Sequence, residues 1–564
     1  MAKSVSRLSP QDLGAAIQEA LALHRQGQLA EAEKIYARVL KASPGQFDAL
    51  HLYGMLKLQR GRAGEAYRLI TEALKIDPGS ADALCNLGLV LNALKRDTEA
   101  LASFDRALAL MPDHVEALNN RGRALNEMGR AEEALACFDK VLRIAPRHLE
   151  AAINRGNALL ALEHREEAIA EYDKVLAIHP NHPGAHFNRG NALAELARHD
   201  EAVGAYDRAL AVVPTNVKAL INCGVALVAL NRHREALARY DQALAIDRNN
   251  ADAHHNAALA LLTIGDFQRG LKEYEWRWKR TGMPSHGRNL GRPLWLGEYA
   301  IGRRTILIHA EQGLGDAIQF VRYAAPLARA GAKIILEVPE ELQTLLARVD
   351  GVAQVVVRGA PLPPFDVHCP VASLPLAFGT EPGAIPGGVP YLGASAERQA
   401  KWRARLERVG SPRVALAWSG SPTHANDRNR SIALARLDAL LSIAKVHFIS
   451  VQSDLRAPDR ELIKHCPHLT HVGDELGDFD DTAAVLALAD LVICVDTSVG
   501  HLAGAMARPT WILLPYAPDW RWMLEPQGSA WYPTVRLFRQ RSPGDWDDVI
   551  ARVCAALSQS FTGV

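Results

Sequence analysis

Over roughly residues 13–284 the small, apolar and polar positions return every 34 residues, and that one period predicts the first half of the chain. Gly54, Gly88, Gly122, Gly156, Gly190 and Gly224 fall on it, with Ala258 next in the series. Ala32, Ala66, Ala100, Ala134, Ala168, Ala202 and Ala236 keep the same step, each followed four residues on by Tyr36, Ile70, Phe104, Phe138, Tyr172, Tyr206 or Tyr240. Pro44, Pro78, Pro112, Pro146, Pro180 and Pro214 complete the set. Each repeat reads as two helices that approach closely at the small residues, with the aromatic expected to fill the gap between units. Proline ends the second helix, because it lacks an N–H and clashes with the preceding turn. One pair cannot bury its apolar face alone, so stacked pairs form the core and the expected result is a right-handed α-solenoid of eight units.

From Arg303 the period changes. Apolar, β-branched runs now alternate with helical stretches: Thr305–His309, Ile334–Val338, Val352–Val357, Val414–Trp418, Val446–Val451, Leu491–Val495 and Thr510–Leu514. Such runs predict buried parallel strands, and so an α/β fold. Pro/Gly-rich stretches interrupt them at Gly359–Pro364 and Gly379–Gly393, the second reading as a hinge. The expected organisation is a solenoid over 1–284, a linker over 285–302, and two facing Rossmann-like units over 303–390 and 391–564, the first one short. Ligands then belong in the cleft at the carboxyl ends of the strands.

Composition sharpens this picture. A chain of 564 residues needs more than one domain. With 64 Lys+Arg against 63 Asp+Glu there is no general basic field, so nucleic acid is not an expected partner. No apolar run is long enough to span a membrane, the longest, Val485–Val495, being broken by Asp490. The seven cysteines are scattered without zinc or redox spacing, and Met1–Arg7 precedes no signal-peptide core; a cytoplasmic location is expected. All ten tryptophans lie from Trp276 onward. Trp276 and Trp278, closing the last repeat, are expected to pack it onto the α/β half.

Three loops follow predicted strands. The first, Ala310–Asp316, carries Gly313 and Gly315, which let a ligand approach the backbone. Asp316 could be a general base, or a helix-cap or first-turn acid stabilising the helix that follows. Ile318 stands where a dinucleotide fingerprint needs a third small residue, which argues against an oxidoreductase. The second loop, Ser419–Ser431, holds Arg428 and Arg430, suited to phosphate oxygens or to a solvated loop. In the third, Asp496-Thr497-Ser498-Val499-Gly500-His501, a buried strand runs straight into a helix. Its backbone amides and helix dipole favour a phosphate, with Asp496 able to take a sugar or ribose hydroxyl; the other reading is a Thr/Ser cap beside a structural Asp. Asp478-Phe479-Asp480-Asp481 opens a helix and reads as caps, so no metal and no cofactor are expected. Trp520 and Trp522 fit either core packing or stacking on a base or sugar.

The small residue, the Ala-x3-aromatic and the proline together are the tetratricopeptide signature. Asn86, Asn120, Asn154, Asn188, Asn222 and Asn256 add a polar ladder, two residues before each small residue. A side-chain amide donates and accepts, so the ladder suits a peptide backbone, or local pairing between helices. The array resembles the repeat superhelix of the O-linked N-acetylglucosamine transferases, in which such a ladder holds acceptor polypeptides.

Asp496-Thr-Ser-x-Gly-His-Leu-Ala-Gly-Ala resembles the Asp-Thr-Gly-x-x-His-Leu-Ala-Ala motif of the bacterial lipopolysaccharide heptosyltransferases, which are GT-B glycosyltransferases. Gly315-Asp316 matches their glycine-aspartate step. The resemblance covers roughly 303–560 and implies a metal-independent transfer from a nucleotide-sugar donor. It implies that Asp316 deprotonates the acceptor hydroxyl and that Gly313, Gly315, Arg428, Arg430, Asp496, Thr497, Ser498, Gly500 and His501 surround the donor. The loop with the two arginines departs from that family's pattern, and the first α/β unit is shorter than a lipid-type acceptor unit. The repeats are then expected to recruit a polypeptide or other extended acceptor. The alternative is a non-enzymatic tetratricopeptide scaffold with a degenerate glycosyltransferase domain.

Overall fold

The computed structural model describes residues 10–281, 290–424, 426–524 and 527–561. Residues 285–289 of the expected linker and the segment Met1–Arg7 lie outside them. Among the described residues eight antiparallel helix pairs run from Pro10–Arg25 to Phe267–Tyr274. Two compact units result, Met1–Pro214 with the first six pairs and Thr215–Val564 with the last two pairs and the α/β region.

The repeat chemistry is visible atom by atom. A Cβ placed on Gly88, Gly156 or Gly224 would lie 2.4, 2.5 or 2.3 Å from the ring of Phe104, Tyr172 or Tyr240, respectively. The aromatic therefore sits on the glycine of its own repeat: sixteen residues on, the second helix lays the ring across the gap the missing side chain leaves. It also reaches between units where Tyr36 stacks on Tyr53 of the next repeat, centroids 6.0 Å apart. Gly156→Ala is expected to destabilise the protein by about 1–3 kcal/mol, since the ring cannot move without leaving its packed rotamer. Urea unfolding checks this, and an unchanged midpoint would show that the ring has room to shift.

Among the described residues the α/β region contains ten strands: β1 Thr305–His309, β2 Lys333–Val338, β3 Val352–Val357, β4 Val367–Pro370, β5 Arg413–Ala417, β6 His447–Ser450, β7 Leu469–His471, β8 Leu491–Val495, β9 Thr510–Leu514 and β10 Val535–Arg539. They form a four-stranded sheet, order β3-β2-β1-β4, and a six-stranded sheet, order β10-β9-β8-β5-β6-β7. Every pairing is parallel. Strands β4, β7 and β10 add to the runs legible in the sequence. In the first sheet the order reverses at β1, and in the second at β5 and β8. Those are the places where the loops of an open α/β sheet diverge and leave a crevice.

The segment expected to be a hinge is pinned. Buried Arg322 donates to the carbonyls of Pro386 (3.0 Å), Gly387 (2.7 Å) and Trp531 (3.0 Å). The Tyr391 hydroxyl donates to the carbonyl of Ile318 at 3.1 Å, and its N–H to that of Ala505 at 3.0 Å. The junction with the last repeat also departs from expectation. Trp276 stacks on His254 within that repeat, centroids 3.8 Å apart, and Trp278 donates to Glu275 at 3.2 Å. It is Arg277, between them and fully buried, that enters the α/β region.

Candidate active site

All three candidate loops leave strands at these reversal points. Because β5 and β8 are neighbours, their loops touch: Arg430 Nη1 donates to the Asp496 carbonyl at 3.0 Å. The first loop arrives from the other sheet. The helix Leu314–Phe320 that follows it lies against the helix Ser498–Ala505, so closely that a Cβ on Gly315 would stand 3.0 Å from His501 Cδ2 and 3.5 Å from Ser498 Cα. Only glycine allows that approach without displacing the histidine ring. The Gly315-Asp316 step is thus brought directly onto the Asp496–His501 loop.

Asp316 takes the first-turn role that its position allowed, and both of its oxygens are engaged. One oxygen accepts the Gly313 N–H at 3.0 Å, as a first-turn acid does. The other pairs with Arg521, a residue that follows β9. Arg521 also bonds Asp519 at 2.8 Å, and its side chain is only 10% exposed. Burial alone would lower this guanidinium's pKa; the carboxylates of Asp316 and Asp519 more than reverse that and hold it well above its ordinary value. Burial likewise opposes ionisation of Asp519, and Arg521 overcomes it, keeping that carboxyl below its usual range. The next residue, Trp522, donates from Nε1 to Asp496 Oδ1 at 2.8 Å. One segment, Asp519–Trp522, therefore ties Asp316 of the first loop to Asp496 of the third. Burial and the neighbouring Asp519 push Asp496 up to about 6.

The amino end of the helix Ser498–Ala505 carries no side-chain cap. Thr497, the residue placed to supply one, has its Oγ1 buried and without a partner. An orphaned buried hydroxyl is costly unless a ligand completes it, and amides at such an end attract anions. Arg430 is poised beside them, its guanidinium packed on Gly420 and its Nε also buried without a partner. Arg428 is exposed. Gly500 sits against Cys494 and Ile512, which a side chain would crowd at 3.1 Å. His501 is 5% exposed, stacked on Trp522 (5.0 Å) and joined to the Tyr532 hydroxyl at 3.1 Å. Burial, then Arg521, lowers it to about 3. It is a neutral pillar under the loop, not a cation.

Arg521 escapes a reading of the sequence because it stands between two tryptophans, whose rings suggest stacking. Both tryptophans are buried, Trp520 among Phe267, Tyr274, Phe320 and Trp531, and Trp522 on His501. The usable signal was a charged residue just beyond the end of β9, at a sheet's ligand-facing rim. Among the described residues no group of three or more His, Cys, Asp or Glu forms a metal site. Asp478 caps the helix Phe479–Ala487 through the Asp480 and Asp481 amides, 3.0 Å each, while Asp480 and Asp481 pair with Arg348 and Lys401.

The asparagine ladder makes local bonds. Asn86 meets His51 at 2.7 Å, Asn154 donates to Asn119 at 3.1 Å, and Asn188 to Asn157 at 2.8 Å; buried Asn120 points to Cys85 Sγ at 3.7 Å. Each Nδ2 thus reaches the preceding repeat, and the amide oxygens take no part in these bonds. Asn222 and Asn256, in the second compact unit, are half-buried.

Comparison with known proteins agrees with both halves. Residues 17–81, 79–147, 113–181, 153–217 and 226–265 match tetratricopeptide repeat families. Residues 446–518 match Glycosyltransferase family 9 (heptosyltransferase), a stretch that includes the Asp496–His501 loop but not Asp316. The chain is 27% identical over 287 residues to Protein FlbA of Caulobacter vibrioides, covering 47% of this chain and 48% of that protein. It thus spans about half the length of the curated relative it matches. Similar solved structures include a tetratricopeptide repeat protein from Parabacteroides merdae (17% identity, 44% of this chain and 99% of that one, TM-score 0.38). Another is pilF of Pseudomonas aeruginosa (24% identity, 37% and 95%, TM-score 0.33). Among the described residues no helix is long and apolar enough to cross a membrane.

Proposed function

We propose that this chain, tetratricopeptide repeats fused to a C-terminal heptosyltransferase-family domain, is a GT-B glycosyltransferase that moves a sugar from a nucleotide-sugar donor to an acceptor hydroxyl. The observation that carries the reading is the contact between the two loops. Asp316 stands at the end of an Arg521 bridge, while Gly315 rests on the uncapped helix end where an anion belongs.

In this mechanism the donor diphosphate takes the amides of Ser498 and Val499, the Thr497 hydroxyl and the Arg430 guanidinium. Asp496 accepts a donor hydroxyl. Arg521, already between two acids, turns to the phosphates, and Asp316 is released toward the acceptor. The acceptor hydroxyl gives its proton to Asp316 as its oxygen bonds the anomeric carbon. The bond from that carbon to the diphosphate breaks, and the nucleoside diphosphate leaves with the electron pair. Fixed dipoles and guanidinium groups stabilise the charge on the leaving oxygen without reorganisation. The transfer proceeds without a metal, because these groups do the work a divalent cation does elsewhere.

The repeats serve as the recruiting arm for a polypeptide or other extended acceptor, the amide oxygens of the asparagine ladder offering acceptors along it. Replacing Asn120, Asn154 and Asn188 by Ala is expected to weaken an extended acceptor by about tenfold or more, at about 0.5–1.5 kcal/mol per lost bond. Donor hydrolysis should stay unchanged. Equal acceptor affinity in the variant would leave the ladder only its inter-repeat bonds. The reading as a whole is tested by thermal shift with nucleoside diphosphates. At 100 times the dissociation constant, binding adds about 2.7 kcal/mol, whereas a scaffold does not respond.

A further inference from the structure

We infer that the last repeat is a working part of the transfer site, with Arg277 as the positioning residue that fixes the loop Glu311–Asp316 through Glu311. The inference rests on the transferase reading above and adds to it a role for the repeats other than recruitment.

Arg277 is carried on the 3-10 turn Glu275–Lys279 that ends the solenoid, and its side chain is 1% exposed. It donates to Glu275 (2.6 Å), Glu311 (3.1 Å), Ser373 (2.6 Å) and the Tyr274 carbonyl (3.2 Å). Its plane is held over the rings of Tyr274 and Trp278, 4.7 and 4.5 Å away. Glu311 belongs to the same loop as Asp316, is 2% exposed, and has one oxygen on Arg277 and the other buried without a partner. A half-satisfied buried ion pair is a poor device for stability, since an apolar pair of equal volume costs less. Its value lies in direction: a planar guanidinium with both Nη atoms bonded and its Nε buried without a partner leaves little freedom to the carboxylate it holds. Burial pushes Glu311 up to about 7 against the pull of Arg277, so the carboxyl is only about half ionised at neutral pH even with the arginine beside it.

The same repeat grips the loop one residue further on. The Tyr274 hydroxyl meets the Gln312 amide at 2.8–3.0 Å, and its ring lies 6.2 Å from Trp520, the neighbour of Arg521. From Glu311 and Gln312 the chain passes through Gly313 to Asp316. The repeat thus sets one end of the loop while Arg521 sets the other. A misplacement of about 1 Å in such a group costs roughly 100-fold in rate.

The test uses the full chain and four probes: UDP-N-acetylglucosamine, GDP-mannose, ADP-glucose and dTDP-glucose, with released nucleoside diphosphate as readout. The wild type is expected to hydrolyse at least one. Arg277→Met and Glu311→Ala should each lower kcat by roughly 100-fold with donor KM within about threefold. Glu311→Gln, which keeps an acceptor for Arg277, should recover most of the rate. The double variant Arg277→Met/Glu311→Ala should lose no more than either single one, because the two act through each other. Unchanged kcat, losses that multiply in the double variant, or a Glu311→Gln as slow as Glu311→Ala would each overturn the inference. Circular dichroism and the thermal shift with UDP, GDP, ADP and dTDP identify variants that fail to fold, and the Glu311→Gln/Ala comparison decides if Arg277→Met is one. A wild type inert on all four probes and unmoved by the four diphosphates overturns the transferase reading itself, and this inference with it.

Discussion

Asp316→Asn lowers sugar transfer by about 10²–10⁴-fold, the share a positioned general base contributes, while nucleoside diphosphate binding persists. The amide keeps the shape of the carboxylate and its bond from the Gly313 N–H, so the helix Leu314–Phe320 keeps its start. What it loses is the ability to accept the acceptor's proton. It also removes one of the two acids that hold Arg521. The guanidinium is then freer to meet phosphate, and diphosphate affinity in Asp316→Asn should equal or exceed that of the wild type. Calorimetric titration alongside a transfer or hydrolysis assay separates the two effects. Loss of binding and turnover together would assign Asp316 to the architecture of the site and not to proton transfer.

Asp496→Asn makes the protein more stable at neutral pH and less able to use its donor. Burial and Asp519 raise Asp496 to about 6 in the folded protein, against about 3.9 for an exposed aspartate. The sign follows directly. Below about pH 4 the carboxyl is protonated in both folded and unfolded chains and costs nothing. As pH rises from about 4 to 6, the unfolded chain releases a proton that the folded carboxyl keeps, so stability falls, and the loss is complete once the folded group ionises above about 6. A tenfold change in acid strength is worth about 1.4 kcal/mol, so the cost above pH 7 is roughly 2–3 kcal/mol, which a neutral amide at this position removes. Trp522 Nε1 still finds an oxygen in the variant. Urea unfolding between pH 4 and 8 is expected to show the two proteins alike at the acid end and the variant ahead at the neutral end. A difference independent of pH, or a less stable variant at pH 8, would contradict this. Holding a costly charge at the position proposed to take a donor hydroxyl would be the usual exchange of stability for function.

The repeats were legible because each is defined by residues close in sequence. Gly88 and Phe104 need no distant partner to explain them, and the 34-residue period repeats the lesson. The central strands β1, β5, β8 and β9, buried along most or all of their length, were legible for the same reason, as continuous apolar runs. Strands β4, β7 and β10 were not, since they are short or edge-placed and carry His368, Thr470, His471 and Arg536. At the site, the three loops were found from their glycines, hydroxyls and charges, but their meeting was not, because it depends on strand order. That β5 lies beside β8 puts Arg430 on Asp496, and no spacing in the sequence says so. Arg521, Glu311 and Arg277 stayed hidden because their meaning is entirely tertiary: each is an ordinary charged residue until a partner from another element arrives. The ladder asparagines were ambiguous for the converse reason, since the amide that can hold a peptide is the amide that can hold a neighbouring helix.

The most direct measurement places a charge where the anion is held to bind. Thr497→Asp supplies the cap that the helix Ser498–Ala505 lacks, and an aspartate there suits the helix dipole. It also sets a carboxylate against any phosphate. Calorimetric titration of the wild type with UDP, GDP, ADP and dTDP is expected to show binding of at least one, and the same titration of a folded Thr497→Asp is expected to show none. Diphosphate affinity equal in the two proteins would mean that the leaving group does not rest on that helix end, and the proposed catalysis would have no place to occur.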